Sequence, residues 1–142
     1  MTGGQYSPLS GCGINATTAP YSNIDNDFDV VELSRAAGAT FVARTTTYHV
    51  KQTIEILKKA IVHKGFAVVE ILSQCPTHFG RKNKKGDAVE MMESFKQDTV
   101  RIGSKAKQKN PGLIERGIFV QKERPEYCDE YDEIIARARK GN

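Results

Sequence analysis

The stretch Ser73-Gln74-Cys75-Pro76-Thr77 sets a thiol directly behind the most apolar run of the chain, Phe66 to Leu72. A thiolate in that place can act as a nucleophile, ligate a metal ion or hold one corner of an iron–sulfur cluster. A small buried residue at a strand end is the plain alternative. His78 follows at a spacing compatible with a shared metal, but no second pair of ligands completes a tetrahedral set, so an ordinary loop histidine is expected there. GRKNKK at 80–85 rims the same loop with positive charge. Far away in sequence, Thr2-Gly3-Gly4-Gln5 joins two glycines to hydrogen-bonding side chains. Paired glycines reach positive φ and let a ligand approach the backbone closely, as in the second half of a phosphate-gripping loop.

The elements that must position these residues are legible in outline. Residues 1–26, rich in Gly, Ser, Thr, Asn and Pro, read as loop. DFDVVELSRAAGA predicts a helix capped by Asp27, with Asp29 and Glu32 in its first turns and Gly38 closing it. ATFVAR (39–44) predicts a buried strand. Val50, Ile54, Leu57 and Ile61 then recur at helical spacing and predict an apolar face, with His49 as a cap before the helix and His63 near its C-terminus. FAVVEIL predicts a strand covered on both faces, as parallel strands are. A loop through residue 87 follows, then a helix over 87–97 with Val89, Met92 and Phe95 on one face. RGIFVQKE (116–123) reads as a late strand, and the residues after Pro125 as a terminal amphipathic helix. Helix and strand alternating with Gly-capped joints make half of a doubly wound α/β sheet, whose ligands sit beyond the carboxyl ends of the strands. The loops after Arg44 and Leu72 are the places to look.

At 142 residues and 27% charged, the chain has the size and composition of one soluble domain. No apolar run approaches the ~20 residues of a membrane span, and no secretory leader is visible, so a cytoplasmic location is expected. The net charge of +4 favours acidic partners. A basic nucleic-acid-binding domain is the weakest reading, since only Phe79 stands near the cationic run. GSKAKQKNPG (103–112) is expected to be a solvated loop. The three cysteines, Cys12, Cys75 and Cys128, are odd in number and far apart, which excludes a disulfide framework and a self-sufficient metal site.

MTGGQYSP, TTAPYSNI, FDVVELSRAAGATFVAR, HKGF, SQCPTHFGRKNKKGD and YCDEYDEI together, in this order, resemble the C-terminal portion of the beta (thiamine-diphosphate-binding) subunit of 2-oxoacid:ferredoxin oxidoreductases, most closely the 2-oxoglutarate type. The resemblance covers residues 1–98 well and the tail more loosely. It implies an α/β fold: a partial doubly wound sheet lacking its N-terminal half, with residues 1–98 belonging to the thiamine-diphosphate-binding domain. Residues 99–142 would form an extension with a late strand and terminal helix. It implies that Met1 is an internal methionine of a longer subunit, and that Thr2, Gly3, Gly4 and Gln5 lie along thiamine diphosphate. Cys75 would be the isolated fourth ligand of a [4Fe–4S] cluster, with the Mg²⁺ ligands and the other cluster cysteines upstream. Cys12 and Cys128 match no ligand position and would be structural. The implied reaction is oxidative decarboxylation of a 2-oxoacid to acyl-coenzyme A, with electrons leaving through the cluster to ferredoxin and an alpha subunit as partner; neither nucleic acid nor a membrane enters it. Residues 80–85 would face an acidic ferredoxin, an expectation drawn from charge. A catalytically inert α/β docking module for the rest of such a complex is the alternative.

Overall fold

A computed structural model describes residues 2–141, and for Thr2 the backbone alone. Strand β1 (Phe41–Thr46) is buried at every position but the half-buried Arg44. A strand buried on both faces must lie inside a sheet with cover on either side, and β1 does. Strand β2 (Ala67–Leu72) runs parallel to it, from Phe41 opposite Ala67 to Thr46 opposite Leu72. Strand β4 (Ile114–Gln121) is antiparallel on the other side, and β3 (Thr99–Arg101) runs parallel to β4 at the far edge, giving the order β2-β1-β4-β3. The sheet is therefore mixed, and a strand from beyond residue 98 lies inside it.

Helix α1 (Val30–Ala36) covers one face, packing Val31 on Val42 with Val68, Phe119 and Val120. Its cap is Asp29 and not Asp27: Asp29 Oδ1 accepts the N–H groups of Val31 at 2.8 Å and Glu32 at 3.3 Å. Gly38, at φ +84, turns the chain out as expected. The capping carboxylate has a second task. Arg44 reaches across from β1, donating from Nη2 to Asp29 at 2.7 Å and from Nε to Glu70 of β2. Burial opposes the charge on Asp29, but the Arg44 guanidinium and the two helix amides outweigh it and hold the carboxyl below its ordinary pKa.

Helix α2 (Val50–Val62) covers the other face, but with a side about 100° around the helix from the one its apolar period indicates. Ile56 is 3% exposed and packs with Ala60 on Phe41 and Ala43, whereas Val50, Ile54, Leu57 and Ile61 face outward, Ile61 at 81%. Thr53 accounts for the rotation. Its hydroxyl lies 2.9 Å from the Thr45 hydroxyl and within reach of the Thr46 and His49 carbonyls, so a polar residue is fully satisfied against the sheet and carries Ile56 inward with it. His49 occupies the cap position without capping: its Nδ1 pairs with Thr46 Oγ1 at 2.8 Å. His63, at the other end, pairs through Nε2 with Thr40 Oγ1 at 2.8 Å.

The remainder departs from expectation in similar ways. The loop after Leu72 contains one wide π-turn (Pro76–Gly80) and a single helical turn, α3 (Arg81–Asn83). Helix α4 (Ala88–Asp98) begins with a full capping box between Asp87 and Glu90 and buries Met91, leaving Val89 outside. The 103–112 stretch holds a short helix, α5 (Lys105–Lys109), secured where Lys107 Nζ donates to the carbonyls of Pro111 and Leu113. Helix α6 (Tyr127–Lys140) is capped by Glu126, buries no residue and meets the body through the exposed Lys64–Asp129 pair at 3.0 Å. Cys12 and Cys128 are both exposed. Among the described residues no helix is long and apolar enough to cross a membrane.

Candidate functional site

The structure brings the two glycine- and cysteine-bearing segments together. Beyond β2, Gln74 accepts a hydrogen bond from Thr47 Oγ1 at 2.8 Å, which ties the loop to the end of β1. Cys75 then stands immediately before the π-turn, closed by the Gly80 N–H on the Cys75 carbonyl at 2.9 Å. Gly80 is buried, and a Cβ there would lie 2.6 Å from Met91 Sδ, so the turn is seated directly on α4.

Residues Thr2–Gly4 form a single tight turn in which Gly3 and Gly4 hold φ of +58 and +76. Gly3 has open space over its α-carbon; Gly4 is buried, and a Cβ on it would meet Thr17 Oγ1 at 2.5 Å and His78 Nδ1 at 3.2 Å. The double-glycine turn thus rests on the histidine three residues past Cys75. The Thr17 N–H donates to the Gly4 carbonyl at 2.7 Å, and Gln5 is exposed. A reciprocal amide clamp holds the halves together: Asn15 N–H donates to Asn83 Oδ1 at 2.8 Å, and Asn83 Nδ2 donates back to the Asn15 carbonyl at 2.9 Å. No sequence signal marks that pair, since its members are 68 residues apart and each sits in a polar loop.

Beside Cys75 opens a cleft of about 550 Å³, lined by Leu9, Ile14, Leu72, Phe79, Met91 and Phe95 among others. It lies past the carboxyl ends of the parallel pair β1 and β2, where open α/β sheets bind ligands. The Cys75 thiol has a pKa lowered to about 7, chiefly because the backbone N–H groups of Phe79 and then His78 face its sulfur. Neither reaches full capping geometry, so the effect is that of oriented dipoles. Those dipoles favour a thiolate, the form that ligates metal. Among the described residues no three His, Cys, Asp or Glu side chains converge on a metal position. Cys75 therefore fits a cluster ligand by its chemistry but stands alone among the described residues.

The thiol pKa makes a direct prediction. At pH 7 about half of Cys75 is thiolate, against roughly 1% for a thiol near 9; its lower intrinsic nucleophilicity returns part of that advantage. Cys128, pushed up first by Glu126, is the internal reference. Iodoacetamide at pH 7 should label Cys75 roughly fivefold faster than Cys128, read by peptide mass spectrometry. Equal rates would mean that the amides do not act on the sulfur.

Residues 1–71 match the family model for the thiamine pyrophosphate enzyme, C-terminal TPP binding domain. The chain belongs to this family. The chain is 41% identical over 143 aligned positions to a 2-oxoglutarate synthase subunit KorB of Methanocaldococcus jannaschii, covering 98% of this chain and 53% of the relative. It is 45% identical over 133 residues to a protein of the same name from Methanothermobacter marburgensis, covering 91% and 46%. A 2-oxoacid:ferredoxin oxidoreductase subunit beta of Saccharolobus solfataricus is 44% identical over 78 residues, covering 55% of the chain and 26% of that protein. Among solved structures, the 2-oxoglutarate:ferredoxin oxidoreductase from Magnetococcus marinus, with 2-oxoglutarate, coenzyme A and succinyl-CoA bound, superposes with a TM-score of 0.78 at 26% identity, over 99% of this chain and 49% of that one. The chain thus spans about half the length of the curated 2-oxoglutarate synthase relatives it matches.

Proposed function

We propose that this chain is the part of a cytoplasmic 2-oxoacid:ferredoxin oxidoreductase beta subunit that lays thiamine diphosphate beside an iron–sulfur cluster, with 2-oxoglutarate as the oxoacid. The observation that carries it is the seating of Gly4 against His78, which makes the glycine turn and the Cys75 loop one unit. The names of the relatives and the ligands of the solved neighbour support the reaction class and the oxoacid. In the overall reaction a 2-oxoacid, coenzyme A and two oxidised ferredoxins give acyl-coenzyme A, carbon dioxide, two reduced ferredoxins and a proton.

When bound, thiamine diphosphate supplies the electron sink for loss of carbon dioxide, and a cluster supplies a one-electron route outward. The chain's own residues do the rest. Gly3 leaves its backbone open to a phosphate oxygen, with Thr2 and Gln5 alongside, and Gly4 lets the turn lie flat on the Cys75 loop. The Phe79 and His78 amides steady the Cys75 thiolate, as amide hydrogen bonds tune a cluster. Mg²⁺ and three further cluster ligands would come from polypeptide beyond this chain, and an alpha subunit would complete the complex. Arg81, Lys82, Lys84 and Lys85, all exposed, form the rim for an acidic ferredoxin.

A second reading, an inert docking module, is favoured by the outward apolar stripe of α2 and by the unpaired edge of β2, where Ile71 is 40% exposed. One experiment separates the two. The chain is co-expressed with the other half of such a subunit, and bound thiamine diphosphate, iron and sulfide are assayed. On the first reading Cys75→Ala loses the iron and keeps the thiamine diphosphate, and reversing Lys82 and Lys84 together slows ferredoxin reduction at low salt. Iron content indifferent to Cys75→Ala would leave the docking reading.

A further inference from the structure

Two arginines and a histidine gather near the carboxyl end of β1 with no carboxylate paired to them. Arg101 of β3 and Arg116 of β4 are register partners, roughly 5 Å apart between neighbouring strands, where like charges repel. Arg116 is half-buried and spends two of its donors on neutral groups: Nε on Thr99 Oγ1 at 3.1 Å and Nη1 on Gln52 Oε1 of α2. The rest of its five N–H donors remain for another acceptor. His49, at the entry to α2, pairs Nδ1 with Thr46 Oγ1 at 2.8 Å, and no hydrogen bond among the described residues engages its Nε2. Burial first, and then the charges of Arg116 and Arg101, disfavour protonation of His49; burial and then Arg101 act likewise on Arg116.

Nothing nearby compensates. The ion pairs among the described residues are Arg35–Glu32, Arg44–Asp29, Arg44–Glu70 and Lys64–Asp129. Glu115, next to Arg116, accepts instead from the Gly103 N–H at 3.1 Å, and the first turn of α2 holds no acidic residue. Arg44 gives the contrast within the same sheet: it is balanced by two carboxylates, whereas Arg116 has a second arginine beside it. A half-buried guanidinium beside a second arginine and without a counter-charge is unfavourable unless a ligand brings one, and its free forked donors match the oxygens of carboxylate or phosphate.

We propose that Arg116, Arg101 and His49 form a binding site for the oxyanion of a small ligand, a carboxylate or a phosphate group, on the α2 side of the sheet end. The site stands on these residues alone, independent of any role for Cys75 or thiamine diphosphate. Isotope-labelled chain is titrated separately with inorganic phosphate and with succinate at constant ionic strength, following the His49 ring and Arg116 Nε–H resonances. A saturable shift is expected with at least one of them, its affinity falling at least tenfold in Arg116→Gln and in Arg101→Gln. Tighter phosphate assigns a phosphoryl group; tighter succinate assigns a carboxylate. Because Arg116→Gln also gives up bonds to Thr99 and Gln52, the exposed Arg101→Gln carries the test if that variant misfolds. Shifts that track chloride equally, or an affinity unchanged in Arg101→Gln, overturn the proposal.

Discussion

Replacing Arg44 by Met should lower the unfolding free energy at pH 7 by about 3 kcal/mol, an unfolding midpoint roughly 10 °C lower. The side chain of Arg44 is 11% exposed and that of Glu70 19%, so losing the cation leaves a carboxylate that water barely reaches. Asp29, half exposed, loses its partner too but keeps its amide donors, which is why the figure sits at the low end for a broken buried pair. The pH dependence gives an independent check. Asp29 has its folded pKa depressed, so its contribution is present above the unfolded value of ~3.9 and disappears as pH falls through the lower folded one. The Asp29 share of the gap between wild type and variant should therefore begin to narrow below about pH 4 and close only below the depressed folded value, followed by thermal circular dichroism. A gap that stays constant down to acid conditions would mean that Arg44 acts through packing and not through its charge.

The second large effect belongs to the glycine turn. Gly4→Ala should cost about 3 kcal/mol at the site, from a left-handed φ combined with overpacking, because the new methyl meets Thr17 and His78. Gly3→Ala shares the positive φ but meets nothing within 4 Å, and about 1 kcal/mol is expected. The readout needs no cofactor: when His78 is displaced, the amides lose their aim at Cys75 and its alkylation at pH 7 slows several-fold. The double change Gly4→Ala with Thr17→Ala removes the 2.5 Å contact and should restore part of the rate. Equal behaviour of the two single variants would sink the idea that packing, rather than backbone conformation, fixes this turn.

These outcomes turn on details the sequence carries unevenly. The strand ATFVAR and the helix at 50–62 are plain in the pattern, because an unbroken apolar run and a helical period are local properties. Which side of α2 faces inward is not local. Its stripe at Val50, Ile54, Leu57 and Ile61 is a real apolar face, but the side that meets the sheet is chosen by Thr53 finding Thr45 across eight residues. Asp29, read as a first-turn acid, is the cap itself because Arg44 holds it from β1. The Thr2–Gln5 turn and Cys75 were legible as separate signals, and their placement along a cofactor came from family resemblance. Their contact through Gly4 and His78 joins segments more than 70 residues apart, and the arginine pair at Arg116 exists only once β4 enters the sheet; no periodicity announces either.

The Asn15–Asn83 clamp has a kinetic meaning as well. It closes 68 residues of chain, while β1 and β2 meet across 26, as in the Phe41–Ala67 pair. The additional closure entropy is on the order of 1 kcal/mol, and the segment it secures buries little beyond Ala16 and Asn23. Folding should therefore pair β1 with β2 before it fastens the amino-terminal segment. In the native protein that segment should open without melting the strands, so amide exchange at Asn15 outpaces that at Val42 by orders of magnitude. A ligand bridging the glycine turn and the Cys75 loop would slow the first of those rates and leave the second untouched.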